Sequence, residues 1–329
     1  MSPHPATTMP SRRGFTLVEL MVVLVILSIL GSLMLAGLNV ARSRSLAEKT
    51  RGTISKINGV INAQFESYAD RASAPVKTGT AAPAAGSEFM YDVFLNTAAT
   101  PPQFYGPREI GGAWPAASST SKVPHGALAQ RRLLMVVEMP DSWADVKSGI
   151  AAITGAAPVL PPFARTGTVR GYAAYKQAVN PTTVNESAEC LYMIVARSGF
   201  DPYAIEQFRT DEIGDTDNDG ALEFLDHRGN PIIFLRWAPG FTPYSGVQVN
   251  DPTNRHDPMD PLKKDAAGYA LIPLLVSGGD DGLTGLQVTT NGWLPLSLTS
   301  IVTTGSNIGA PDTGNQTAYR DNITNHDVR

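Results

Sequence analysis

The sequence has very little cysteine and few charges. Cys190 is the only cysteine among 329 residues, which excludes an intramolecular disulfide and every zinc motif built on cysteine pairs. Charged residues make up 17% of the chain, below the roughly one quarter typical of soluble domains. The net charge of −4 gives no overall basic character of the kind that nucleic-acid-binding domains use. We therefore expect no nucleic-acid partner.

Catalytic motifs are also missing. The chain contains no HExxH, no GxSxG, no Walker loop and no GxGxxG followed by an acid. Its 5 histidines are scattered and form no cluster along the sequence. Nothing in the sequence indicates an enzyme.

One long hydrophobic run stands out from this average. The mean hydropathy of −0.08 excludes a protein with many membrane spans, yet residues 20–38 contain no charge. As a helix this run is roughly 28 Å long, close to the hydrocarbon thickness of a bilayer. We predict a transmembrane segment at about 18–38. Arg12 and Arg13 precede it, which predicts a cytoplasmic amino terminus and an exported remainder.

Glu19 lies at the edge of this apolar run. A carboxylate in that position is costly and usually has a partner. A secretory signal peptide that is removed and a plain signal anchor would also explain the hydrophobic run. Neither of these alternatives gives Glu19 a role.

Residues 12–30, RRGFTLVELMVVLVILSIL, resemble the class III signal of type IV pilins and type II secretion pseudopilins. The resemblance implies that prepilin peptidase removes residues 1–14 as a leader, cleaving between Gly14 and Phe15, and methylates the new amino group of Phe15. It also implies that Glu19 pairs with the amino-terminal charge of a neighbouring subunit during filament assembly. Opposite charges attract strongly at low dielectric, and each alone would be penalised.

The helical pattern continues beyond the apolar run. Apolar residues recur in steps of three or four, which places them on one helix face: Ile54, Ile57, Ile61, Phe65 and Tyr68. We predict one amino-terminal helix over residues 15–72, followed by Pro75.

The rest of the chain divides into two parts of different composition. Residues 73–180 are rich in Ala, Pro and Gly and predict a loop-rich middle region, irregular over 73–125, with two short helices near 131–139 and from 141 or 142 onward. Residues 181–329 predict an acidic, β-rich carboxy-terminal region.

That last region has its own local patterns. A helix capped by Asn185 is predicted over 185–197. Strand-like runs follow, at 231–237, 269–276 and 293–302. The expected fold class is α+β and pilin-like, with a long amino-terminal helix packed on a loop-rich head that contains a small antiparallel β-sheet.

An acidic segment after residue 214 has the spacing of a calcium loop. Oxygen-bearing side chains at its first, third, fifth, ninth and twelfth positions and a glycine at the sixth match an EF-hand loop, with a final Asp in place of Glu. The predicted ligands are Asp215, Asp217, Asp219, the carbonyl of Ala221, Glu223 and Asp226. A solvated acidic turn is the alternative explanation.

Two further segments resemble the carboxy-terminal region of major type II secretion pseudopilins. Residues 226–234 are similar to the D-x-W-G-N-P-aromatic segment of that family, although Arg228 replaces the Trp. Residues 277–285, SGGDDGLTG, are similar to its S-x-G-x-D-G-x-x-G loop, and residues 321–323 to the segment that closes the loop. The resemblance implies a calcium ion held by Asp280, Asp281 and Asp321. A tight turn between strands is the alternative.

Together these features predict a structural subunit of a type II secretion pseudopilus. We expect a single-pass protein of the inner membrane with a periplasmic head. Its expected partners are prepilin peptidase, further copies of itself in a helical filament, other pseudopilins and the inner-membrane secretion platform. The alternatives are a major or minor type IV pilus subunit acting in adhesion, motility or DNA uptake, and a periplasmic binding domain anchored by a pilin signal.

Overall fold

The computed structural model describes residues 16–71, 77–79, 94–96, 103–105, 117–118, 131–132, 134–146, 165–241, 257–261, 271–288, 308–312, 314 and 318–326. The chain divides into two compact units, Met1–Glu48 and Lys49–Arg329. The fold is α+β, as predicted, and combines an apolar amino-terminal helix with small, largely antiparallel sheets.

The first helix, α1, spans Leu17–Glu66. Within the first unit, its large apolar side chains from Leu17 to Leu38 are all about half exposed or more. Within the second unit, the face predicted from the sequence is confirmed, because its five apolar residues, Ile54 to Tyr68, are all buried. The α-helix ends several residues before the predicted 72. The turn that follows the helix is closed by hydrogen bonds between residues three apart, starting with Tyr68 N–H to Phe65 C=O at 3.1 Å.

Four short strands lie in the region for which the sequence predicts irregular structure. They are β1 (Lys77–Gly79), β2 (Phe94–Asn96), β3 (Gln103–Tyr105) and β4 (Ala117–Ser118). The β1–β2 pair is parallel, and the β2–β3 and β3–β4 pairs are antiparallel.

Two helices follow, α2 (Thr166–Val179) and α3 (Glu186–Arg197). The sequence predicts α3 but not α2. One face of α3 is buried and contacts the sheets described next. Asn185 precedes α3 in a left-handed conformation, and its side chain makes no capping hydrogen bond. The predicted side-chain cap is therefore wrong.

The carboxy-terminal region holds two small antiparallel sheets. The first pairs β5 (Ile213–Gly214) with β6 (Glu223–Phe224), so that residues 215–222 form the loop between them. The second has the order β7 (Ile233–Leu235), β8 (Leu274–Ser277), β9 (Ile323–Thr324). The strands β7 and β8 lie within the predicted runs at 231–237 and 269–276, whereas the run at 293–302 falls outside the described residues. Side chains of the second sheet and its neighbouring loops form a buried hydrophobic cluster that includes Leu235, Leu274 and Val276.

A buried ionic network holds residues 134–146 beside this sheet. Residues 134–138 are helical, and the second predicted helix is only a turn at 141–146. Arg236 lies at the end of β7 and pairs with Asp141 at 3.2 Å and with Asp145 at 3.0 Å. Burial, together with the charge of Asp145, raises the pKa of Asp141 to about 6 against the opposing charge of Arg236. The network fixes the turn that carries Trp143.

Candidate functional sites

The amino-terminal site begins next to the described residues. Gly14 and Phe15, the predicted cleavage position, lie outside them. Thr16 and Glu19 form a capping box at the start of α1: the Glu19 carboxylate accepts the Thr16 N–H at 2.8 Å and the Thr16 hydroxyl at 3.0 Å. The Glu19 N–H in turn donates to the Thr16 hydroxyl at 3.2 Å. The T-x-x-E pattern at 16–19 is a sequence signature of this motif, and the interpretation of Glu19 as an assembly residue overlooked it.

Within one chain, the capping box gives Glu19 a structural role at the start of α1. Its carboxylate is exposed and satisfies backbone and hydroxyl donors at the first turn of the helix, where negative charge is favoured. Within one chain, hydrogen bonds to Thr16 therefore hold the Glu19 side chain at the start of the apolar segment.

The apolar segment that contains Glu19 near its start has the properties of a membrane span. Leu17–Leu35 has a mean hydropathy of 2.6, and none of it is buried within the chain. A core helix of a soluble protein would be mostly buried. The exposed apolar surface instead suits a lipid environment or neighbouring helices.

The acidic loop between β5 and β6 brings several predicted ligands together. Asp215, Asp217 and Asp219 each place one carboxylate oxygen within 4.8 Å of the others. Backbone amides donate to two of these acids: Gly220 N–H donates to Asp215 at 3.0 Å, and the N–H groups of Ala221 and Thr182 donate to the two oxygens of Asp219 at 2.9 and 2.6 Å. Ala221 itself is buried.

A second group of acids overlaps the first and includes a residue that the sequence did not suggest. Glu189, Asp217 and Glu223 also place carboxylate oxygens within 4.8 Å of one another. Glu189 and Glu223 are both completely buried. Because Glu189 belongs to α3 and precedes the loop by more than twenty residues, no local spacing reveals it. The only indication in the sequence is a carboxylate beside the apolar run of that helix.

Hydrogen bonds fix the two buried glutamates. Glu223 accepts the Thr216 N–H and hydroxyl, each at 3.1 Å. The Asn185 side chain donates to the Thr216 hydroxyl at 2.9 Å and to Glu223 at 3.4 Å instead of capping α3. The indole N–H of Trp143 donates to Oε2 of Glu189. Three separate segments of the chain therefore converge on these carboxylates.

Asp226, the predicted twelfth ligand, lies apart from both groups. One of its carboxylate oxygens accepts the backbone N–H groups of Arg228 at 2.8 Å and Asn230 at 3.0 Å. The other accepts the Ser277 hydroxyl at 2.8 Å. Asp226 thus closes the turn after β6 and joins it to β8.

Several oxygens of the acidic groups lack a hydrogen-bond donor. Oδ1 of Asp215, Oδ1 of Asp217 and Oε1 of Glu189 are buried without any hydrogen-bond partner. Two unit charges within 4.8 Å of each other repel by at least about 3 kcal/mol at an effective dielectric constant of ~20. Among the described residues, no Lys, Arg or His forms a salt bridge with these acids.

Burial and charge repulsion alter the acidity of the two glutamates. Burial raises the pKa of Glu189 to about 8; the Trp143 hydrogen bond opposes this rise, and the charges of Asp219, Asp217 and Glu223 add to it. Burial also raises the pKa of Glu223, against hydrogen bonds from Thr216 and Asn185. Both shifts disfavour the charged form of these carboxylates.

The second predicted loop is closed by Asp321. One of its oxygens accepts the N–H groups of Asp280 at 2.7 Å and Asp281 at 3.1 Å. Asn322 donates to the Thr284 carbonyl at 2.7 Å, a bond that an acid at this position could not make. The structure therefore places residues 321–322 against the 277–285 loop.

The side chains of Asp280 and Asp281 have protein partners. Asp280 pairs with Arg228 at 2.7 Å, so the residue that replaces the family's Trp supplies a cation. Asp281 accepts the Leu283 N–H at 2.8 Å. Near this loop, the only buried side-chain oxygen without a partner in the described part of the chain is Oδ1 of Asn322.

The comparisons with known proteins bear on the amino terminus. The family described as the prokaryotic N-terminal methylation motif matches residues 9–35. The chain matches no curated protein and no solved structure. The matched residues include Gly14, Phe15, Glu19 and the membrane-span segment up to Leu35. The chain thus carries a type IV pilin-like signal, which implies processing by prepilin peptidase, membrane anchoring and pilin-like assembly.

Proposed function

We propose that this protein is a structural subunit of a type II secretion pseudopilus. In this proposal prepilin peptidase cleaves after Gly14 and methylates Phe15. Residues 18–38 then hold the subunit in the inner membrane, with its amino terminus in the cytoplasm and its head in the periplasm. Subunits assemble with one another and with other pseudopilins on the inner-membrane secretion platform, and their role is mechanical rather than catalytic.

The methylation motif and the exposed apolar helix support the pilin-like part of the proposal. Glu19 supports assembly, because in a low-dielectric filament its carboxylate would meet the methylated ammonium group of a neighbouring Phe15. That interaction requires the capping box to open or to share the carboxylate. When the ammonium group of the neighbouring subunit replaces the Thr16 donors, the Glu19 carboxylate remains hydrogen-bonded as the subunit moves from the bilayer into the filament.

The way in which the 277–285 loop is held in place favours a role in secretion over a role in a surface pilus. The only cysteine, Cys190, is buried and free, so the carboxy-terminal region is not held by a disulfide. Asp321 and Asn322 instead hold the 277–285 loop by hydrogen bonds. This loop and its closing segment are the part of the chain that resembles major pseudopilins.

Deletion of the gene tests the proposal. We expect exported proteins to accumulate in the periplasm, and we expect the wild-type gene and a Glu66→Gln control, which neutralises an exposed acid at the end of α1, to restore secretion. Glu19→Val should not restore it. Loss of surface pili with normal secretion would instead assign the protein to a type IV pilus. Normal secretion together with normal pili in the deletion strain would instead indicate a periplasmic binding domain that is anchored by the pilin signal.

A further inference from the structure

We propose that Glu189, Asp217 and Glu223, together with Asp215 and Asp219, form a calcium site that joins helix α3 to the β5–β6 loop. This ligand set differs from the loop predicted by spacing alone. The buried Glu189 from α3 takes the place of Asp226, which is engaged with Ser277 and the 228–230 backbone. The site does not depend on the role in secretion.

The first argument is the state of Glu189. Its side chain is completely buried, and Trp143 satisfies only one of its two oxygens. The other oxygen, Oε1, has no hydrogen-bond partner, although a carboxylate oxygen of Glu189 lies within 4.8 Å of oxygens on Asp217 and Glu223. Buried polar oxygens are normally hydrogen-bonded or bound to a metal. A cation among these three acids supplies the missing partner.

The second argument is the arrangement of donors around the loop. Each of Asp215 and Asp217 has one oxygen near a donor: Gly220 N–H donates to Asp215 at 3.0 Å, and the Thr182 hydroxyl lies 3.4 Å from Asp217. The remaining oxygen of each is buried and unpartnered. The hydrogen bonds therefore orient the carboxylates and leave one oxygen of each without a donor, as outer partners do when they position metal ligands. One carboxylate oxygen of Asp215 also lies within 4.8 Å of one of Asp217.

The third argument is the chemistry of the donor set. All the converging atoms are oxygens, mostly carboxylate, and no thiol or imidazole takes part. Hard cations prefer such ligands, and Ca²⁺ accepts six to eight oxygens in a flexible geometry. Mg²⁺ requires a tighter octahedron and retains several waters. The buried glutamates, with their protein hydrogen bonds, favour the larger ion.

The site would add a further link between segments that already contact one another. Glu189 comes from α3, Asp217 lies in the loop between β5 and β6, and Glu223 begins β6. Trp143 connects Glu189 to the turn at 141–146. Bound calcium would therefore stabilise the packing of these three segments at once. Without it, mutual repulsion of the acids would loosen the loop from the helix.

The test is calcium titration of the full-length protein in detergent micelles, with calorimetric binding and thermal unfolding as readouts. CaCl₂ should bind and raise the melting temperature, while MgCl₂ at the same concentration should do so less. Glu189→Gln and Asp217→Asn should each weaken calcium binding at least about tenfold. Asp211→Asn, which neutralises an exposed acid two residues before β5, should bind calcium like the wild type.

Several results would overturn the proposal. Absence of calcium binding by the wild type would reject the site altogether. Wild-type affinity in Glu189→Gln, with loss of binding in Asp217→Asn, would show that the loop binds the ion without α3. Loss of binding in Asp281→Asn but not in Asp217→Asn would move the ion to the 277–285 loop. If Glu189→Gln does not fold, Asp217→Asn still tests the proposal, because that substitution alters only the partly exposed loop. Calcium binding retained in Asp217→Asn would refute the proposal.

Discussion

The ion pair between Glu212 and the second half of α1 provides a quantitative prediction. The Glu212 carboxylate accepts the Thr53 hydroxyl at 2.6 Å, the Lys56 ammonium at 2.8 and 2.9 Å, and the Arg209 N–H at 2.8 Å. Glu212 is only 6% exposed. We predict that Glu212→Ala loosens α1 from residues 209–214 and destabilises the second unit.

The size of the destabilisation depends on how far water can replace Glu212 as a hydrogen-bond acceptor for each of its partners. Removal of one member of a buried pair typically costs ~3–5 kcal/mol. The Lys56 side chain is 34% exposed, so solvent compensates much of its loss. The Thr53 hydroxyl retains a contact with the Lys49 carbonyl at 3.2 Å. We therefore expect Glu212→Ala to lower the free energy of unfolding by about 2–3 kcal/mol and Glu212→Gln by about 1 kcal/mol.

The pH dependence of this effect has a definite sign. Burial acts to raise the pKa of Glu212, but the hydrogen bonds from Arg209, Lys56 and Thr53 outweigh it, and the pKa lies below the ordinary value of 4.5. Because the folded state binds its proton more weakly than the unfolded state, the stabilisation is complete above the unfolded pKa. It is lost as the pH falls through the folded pKa. The difference between wild type and Glu212→Gln should be constant above about pH 6 and shrink below about pH 4.

Denaturant unfolding followed by tryptophan fluorescence measures both quantities. All 4 tryptophans lie beyond residue 49, so the signal reports on the second unit. A double-mutant cycle with Lys56→Met isolates the ion pair. A change below about 0.5 kcal/mol in Glu212→Ala, which is the range of ordinary surface substitutions, would refute the argument from burial and hydrogen bonding. Equal acid sensitivity of wild type and Glu212→Gln would refute the argument from the pKa.

Two further predictions concern the amino terminus and the 277–285 loop. Glu19→Val should be cleaved and methylated like the wild type but give few filaments in an assembly assay, and a normal filament yield would contradict the pairing argument. Gly279→Ala should lower the free energy of unfolding by more than about 2 kcal/mol, because at φ +60° its Cβ would lie 2.1 Å from the Asp321 carbonyl oxygen. Gly229→Ala, also at positive φ but with nothing within 4 Å, should cost only about 1 kcal/mol; equal losses in the two variants would rule out the clash.

Sequence patterns predicted the parts of the fold that depend on periodicity. Ile54 to Tyr68 recur at the helical spacing, and the structure buries that whole face. Two of the three predicted apolar runs contain β7 and β8, because continuous apolar residues suit a strand that is buried on both faces. Helix α2 gave no such pattern, since Gly167 and Gly171 interrupt it and weaken helix propensity.

The spacing of residues along the sequence could not predict contacts between distant segments. Four residues of the EF-hand pattern fall in two groups of acids that share Asp217: Asp215 and Asp219 belong to one group and Glu223 to the other. The pattern also included Asp226, which the turn after β6 uses for its own backbone bonds. It could not include Glu189, because only the packing of α3 on the β-strands brings that side chain to the loop. The spacing of residues along the sequence can indicate candidate ligands within one loop. Candidate ligands from other segments become visible only in the folded chain.

Processing at Gly14 is the most direct test of the central claim, that this chain is a pilin-like precursor. The protein is produced together with prepilin peptidase, and its amino terminus is identified by mass spectrometry. The wild type should begin at a methylated Phe15. Gly14→Leu should remain the full-length precursor, and Gly31→Ala, a glycine of α1 with open space around it, should be processed normally. Cleavage of Gly14→Leu at the same position, or a wild type that keeps residues 1–14, would contradict the account.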